Sequence, residues 1–196
     1  MLNQANLGLI FLSAFLVNNI LLIRFLGLCS FFGISTQVKA STGMGIAVIF
    51  VTVMATSLSW VVYNYLLLPF HLEYLRTVTF ILTIASFVQF EEIIIRKKLP
   101  TLYRAFGIYL PLITTNCAIL ASAFLGIDYK LSFVQNLVFS IGISSGYAFV
   151  IVLFASIRER LEMSPLPEIF KGIPIAFITA GLMSLAFLGF KGLFQL

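Results

Sequence analysis

Residues 7–34 read "LGLIFLSAFLVNNILLIRFLGLCSFFGI". The stretch is nearly all apolar, yet it holds Asn18, Asn19 and Arg24. As one straight helix its 28 residues would reach about 42 Å. The hydrocarbon layer of a membrane is only about 30 Å thick. Steep tilt absorbs part of the excess. A break near the asparagines, or near Gly27, absorbs it too and leaves Cys29 inside the membrane. The expected reading is a broken first helix.

Composition makes lipid the solvent. The chain has 196 residues, 61% of them hydrophobic and only 10% charged. Soluble domains carry about 25% charged residues, and a chain of this size has no core large enough to hide so much apolar surface. Its mean hydropathy is +1.10 and its pI near 9.4. The net charge of +5 falls in short gaps between apolar runs, the pattern of membrane topology signals rather than of nucleic-acid binding. The first residues, MLNQANLGLI, lack a basic n-region and argue against a cleaved signal. Two cysteines are too few for a disulfide framework.

Apolar runs of spanning length fall at about residues 7–28, 43–68, 76–95, 105–126, 131–157 and 173–194. In hydrocarbon the backbone must satisfy its own polar groups, so these runs are expected as helices. The gaps are too short for a soluble module, which makes residues 1–196 a single membrane domain. The first gap holds Arg24 and Lys39, the third Arg96, Lys97, Lys98 and Arg104, and the fifth Arg158, Arg160 and Lys171. The other side holds Arg76, Lys130 and Lys191. This bias predicts cytoplasmic odd gaps and external termini. Six spans divide into two sets of three that start on opposite sides, an inverted repeat over about 1–98 and 99–196. "NILLIRFLG" from Asn19 and "NCAILASAFLG" from Asn116 are its faint trace, and chance likeness of leucine-rich segments explains them as well.

"LPLITTNCAIL", residues 110–120, clusters Thr114, Thr115, Asn116 and Cys117 inside an apolar run. Cys117 lies ten residues after Gly107 and nine before Gly126, which puts it near the membrane midplane. Pro111 favours a kink just before it. Either cysteine alone reads as helix filler. Two polar clusters, each in the first span of a half, favour function. Two thiolates do not complete a four-ligand iron–sulfur or zinc site, so a second protein chain must supply the rest of any cluster. A disulfide between Cys29 and Cys117 also stays open. Glu91 and Glu92 end the third span and are ion-path candidates, with an interfacial pair beside Arg96 as the plainer reading. Gly142-Ile-Ser-Ser-Gly146 and Ala180-Gly181 read as small faces for close helix packing.

The blocks "VNNILLIRFLGLCSFFGIS", "FGIYLPLITTNCA", "LFASIRERL" and "ITAGLMSLAFLGF" resemble the A-type membrane subunits of Rnf electron-transport complexes. More distantly, the chain is similar to the E-type subunit of the sodium-pumping NADH:quinone oxidoreductase. The likeness implies an all-α membrane protein of six transmembrane helices in two inverted three-helix repeats. It implies a homologous partner of opposite orientation, the E-type subunit, and further B-, C-, D- and G-type subunits in a prokaryotic cytoplasmic membrane. It implies that Cys29 and Cys117 supply half the ligands of a two-iron–two-sulfur cluster (2Fe-2S) shared with that partner. The complexes move electrons between ferredoxin and NAD and couple this to sodium or proton transport. Asn18, Asn19, Thr114, Thr115 and Asn116 would then lie beside the cluster and tune it. Ser30, after Cys29, reads as ordinary variation. The competing expectations are a small secondary transporter with a midplane solute site and a scaffold without a cofactor.

Overall fold

A computed structural model describes residues 6–35, 37–69, 73–98, 115–165, 167 and 170–193, and all regular structure among them is helical. Seven α-helices follow in chain order. They are α1 (Leu7–Leu12), α2 (Leu28–Ile34), α3 (Val38–Val62), α4 (Arg76–Lys98), α5 (Cys117–Asp128), α6 (Phe133–Glu162) and α7 (Ile173–Leu193). Wider π-type turns extend α1 over Ser13–Val17 and α3 over Tyr63–Leu67.

Among the described residues two helices are long and apolar enough to cross a membrane, Val38–Leu67 and Phe133–Glu162, each of 30 residues. At 1.5 Å per residue that is about 45 Å. The sequence starts α6 cleanly. Ser132 caps it, and Gln135 reaches back to accept from the Ser132 N–H at 3.1 Å, so two orphan donors are satisfied at once. Ser164 and Pro165 follow its end. Over half of the apolar window of α6 is buried (56%), against 39% for α3, so α6 is the central post.

Small residues let the other helices approach it. A Cβ on Gly45 of α3 would lie 2.9 Å from the Ala148 Cβ of α6. A Cβ on Gly142 would meet the Ala14 Cβ at 2.8 Å, and one on Gly146 the Phe15 carbonyl at 2.7 Å. The Gly142–Gly146 stripe is thus the seat of α1 and its π turn, as its spacing predicts. The other small face is corrected in part. Ala180 is buried, but Gly181 has nothing within 4 Å of a built Cβ and faces outward. Outward stripes such as Ile46, Phe50 and Met54 on α3 suit a lipid solvent.

One end of the bundle collects Trp60, whose indole donates to the Leu131 carbonyl at 3.1 Å, and the Arg76–Asp128 ion pair at 2.7 Å. Arg24 joins this end, donating to the Tyr129 hydroxyl at 3.4 Å. This corrects the basic count. Arg24 stands on the Arg76 side, because the segment around it loops back toward Tyr129. With Arg24 moved, the count by sequence gaps becomes eight against four. The backbone of Glu91 and Glu92 lies in α4, while their side chains fall outside the described set. Thr114, Pro111 and Arg104 lie outside the described residues.

Candidate functional site

The first span is interrupted where its polar residues predict. Helical geometry stops at Asn18 (φ −103°, ψ 41°) and resumes only at Leu28, after Gly27. An interruption buried in lipid must satisfy its backbone locally. Asn19, 1% exposed, does most of this. Its Oδ1 accepts from the Leu21 and Leu22 N–H groups at 3.2 and 3.4 Å. Its Nδ2 donates to the Gly146 carbonyl of α6 at 3.2 Å and to the Phe15 carbonyl at 3.4 Å. The Ser184 hydroxyl of α7 donates to the Leu22 carbonyl at 2.8 Å. Phe25 and Gly27 hold positive φ, 53° and 86°, and fold the segment back on itself.

The second polar cluster stands at the start of α5. Asn116 is extended (φ −72°, ψ 115°), buried, and caps the helix by accepting from the Ala118 N–H at 3.0 Å. Asn19 and Asn116 therefore do the same work: each side-chain oxygen accepts from the N–H two residues on.

The interruption meets the start of α5. A Cβ built on Gly27 would lie 3.2 Å from Asn116 Oδ1 and 3.4 Å from the Ala118 Cβ. Ser30 sits behind this junction, fully buried. Its hydroxyl donates to the Gly27 carbonyl at 2.9 Å, lies 2.6 Å from the Tyr147 hydroxyl, and accepts from Asn116 Nδ2 at 3.5 Å. Tyr147 has 14 residues of α6 before it and 15 after it, so the junction is level with the middle of the central helix.

Cys29 and Cys117 open the first turns of α2 and α5 at this junction. Both are free thiols, and both are exposed on the surface of the chain. Their neighbours Ser30, Asn116 and Ala118 point inward and are buried. Thr115 is exposed beside Cys117, and Asn18 is half-buried at the end of the first π turn. Among the described residues no group of three or more His, Cys, Asp or Glu side chains gathers to hold a metal. The donor set fits an iron–sulfur cluster as half a set. Thiolate is the soft ligand iron takes, and both thiols face away from the chain, where a second protein can complete four ligands.

Sequence reasoning passed over Tyr147, took Ser30 as ordinary variation and took Arg158 only as a topology charge. A lone tyrosine in the apolar middle of a span was the available signal for Tyr147. Ser30 carried none, because its partners are 86 and 117 residues away.

An α-helical membrane protein whose interrupted first span meets the capped start of α5 level with the middle of α6, with a free thiol in the first turn of α2 and of α5, is the class this architecture defines. The chain belongs to the Rnf-Nqr subunit family of membrane proteins, which matches over residues 7–194. It is 54% identical over 188 residues to the A-type subunit of the ion-translocating oxidoreductase complex of Syntrophotalea carbinolica, covering 96% of this chain and 97% of that one. The A-type subunits of the same complex from Photorhabdus laumondii and Shewanella oneidensis are each 52% identical over 185 residues, 94% of this chain and 96% of theirs.

Proposed function

We propose that the chain serves as the A-type subunit of an Rnf-type ion-translocating oxidoreductase complex, in which Cys29 and Cys117 provide two of the four thiolates of a two-iron–two-sulfur cluster. A homologous protein of opposite orientation provides the other two. The observation that carries this reading is the pair of exposed thiols at two helix starts that touch at mid-depth. When bound, such a cluster accepts and releases single electrons part-way across the membrane. The chain's own part is to seat it. The first turns of α2 and α5 carry N–H groups without intrahelical partners, and hydrogen bonds of that kind to cluster sulfurs set the potential. Ser30 and Asn116 hold those turns through the Gly27 carbonyl and the Ala118 N–H.

In this reading the chain forms six spans in two inverted halves, 1–98 and 99–196, with both termini outside the cytoplasmic membrane. Flavins and further clusters belong to the B-, C-, D- and G-type subunits. Glu91 and Glu92 remain the candidates for an ion path, to be separated by whether neutralising either lowers pumping more than electron transfer.

The test is iron and acid-labile sulfide per purified complex, with the paramagnetic signal of the reduced cluster. Cys29→Ser and Cys117→Ser are expected to assemble yet lose the cluster and the turnover, since a serine hydroxyl is a harder, far less acidic donor than a thiolate. The chain purified without its partner is expected to hold no stable cluster. Full iron and normal pumping in the serine variants would reduce the cysteines to helix filler. Solute counterflow by an iron-free chain would favour the transporter instead.

A further inference from the structure

The cysteine-bearing helix α2 is only seven residues long, Leu28–Ile34. A helix so short does not hold itself together in isolation. Something else must fix it, and one stripe of α6 touches it from end to end. At its start the Tyr147 hydroxyl lies 2.6 Å from Ser30 Oγ, which in turn donates to the Gly27 carbonyl. In its middle the Phe154 ring stacks on Phe31 with centroids 4.1 Å apart. At its end Arg158 Nη1 donates to the Phe32 carbonyl at 3.2 Å and to Ser35 Oγ at 3.1 Å. Tyr147, Phe154 and Arg158 are spaced seven and four residues apart, one face of a helix.

The two ends are held by different chemistry. The carbonyls that close a helix have no intrahelical donor. In α2 the Phe32 carbonyl takes a guanidinium N–H, a charge-assisted bond that also favours the negative end of the helix. The opening turn is held by a neutral hydroxyl pair with no exposure to solvent on the Ser30 side. Cys29 stands immediately before the first of these anchors, inside the Gly27–Ser30 turn that the Ser30 hydroxyl closes.

We infer that Tyr147 and Arg158 are positioning residues for Cys29: α6 grips both ends of α2 and thereby sets where the thiol sits and how firmly. The grip itself is independent of what Cys29 ligates. Its consequence for a cluster rests on the function proposed above. Arg158 stands near the end of α6 that carries Arg160, so the grip also ties the mid-depth thiol to the basic face of the protein.

Two measurements test this. The first uses the full chain in detergent carrying Cys117→Ser, so that Cys29 is the only thiol and no cluster is needed. The rate of hydrogen exchange at the backbone amides of α2 reads how often α2 loosens. Loss of a charged hydrogen bond in Arg158→Gln is expected to raise the rate about tenfold, and loss of the hydroxyl in Tyr147→Phe about threefold. Arg158→Lys, which keeps a charged donor, is expected to restore most of the slow rate. The second uses the assembled complex with both cysteines. Tyr147→Phe is expected to keep its iron while the midpoint potential of the cluster moves to more negative values, as a buried hydroxyl dipole is lost. Unchanged exchange rates in both Tyr147→Phe and Arg158→Gln overturn the proposal. Faster exchange in a protein whose wild-type complex contains no iron supports the grip and overturns the cluster reading alone. Iron-loaded Tyr147→Phe complexes with an unmoved potential overturn the link from the grip to the cluster.

Discussion

Asn18 and Asn19 are adjacent and chemically identical, yet the fold uses them differently. Asn19 is buried and joins two N–H groups of its own segment to a carbonyl of α6. Asn18 is half-buried and ends a π turn through its backbone, whose N–H donates to the Ser13 carbonyl at 2.8 Å. Asn19→Ala strands buried donors and an acceptor, each worth about 1–3 kcal/mol when left unpaired. Asn18→Ala is expected to stay within about 0.5 kcal/mol. Thermal unfolding of the purified complex checks the contrast, and equal losses at the two positions would show that the interruption is held by something else. The sequence made both residues conspicuous as polar groups in an apolar run, but it could not rank them. The ranking comes from Gly146, more than a hundred residues further along the chain.

At the scale of elements, what was legible tracks what is local. The long runs that became α3 and α6 were visible from composition, because a spanning helix in lipid needs only apolar residues in sequence. The interruption after Val17 was visible because 28 apolar residues are too many for one crossing. The start of α5 at Cys117 was less visible, since a kink at Pro111 was the expected feature and the apolar run continues straight through Asn116. The seating of α2 was not visible at all. It depends on Phe31, Phe32 and Ser35 meeting Phe154 and Arg158 over 120 residues away. Glycine spacing sits between these cases: it marks close packing but does not say which glycine is used. Gly146→Val drives a side chain into the Phe15 carbonyl and is expected to abolish the yield of monodisperse complex. Gly181→Val meets nothing within 4 Å and is expected to leave the yield near normal. Poor yield from Gly181→Val would mean that this face is covered by another protein of the complex.

The whole molecule has a basic end and a less basic end, and the fold sharpens which is which. Lys39, at the start of α3, and Arg158 and Arg160, near the end of α6, share one end. Arg24, Arg76 and Lys130 share the other, beside Tyr129 and Asp128. The asymmetry predicts that residues 96–104 face the cytoplasm and both termini face outward. Labelling of single introduced cysteines in intact cells checks this, and an external signal from residues 96–104 would reverse the orientation. The same long-range architecture has a consequence for biosynthesis. Ser30 and Tyr147 are 117 residues apart. At a translation speed of about 5–20 residues per second, roughly 6–23 s pass between the emergence of Cys29 and that of the tyrosine behind it. Throughout that interval the nascent chain carries a thiol on an unheld seven-residue segment. The ribosome must deliver α6 before α2 has a place to dock, so the seat of Cys29 takes its final shape late in synthesis.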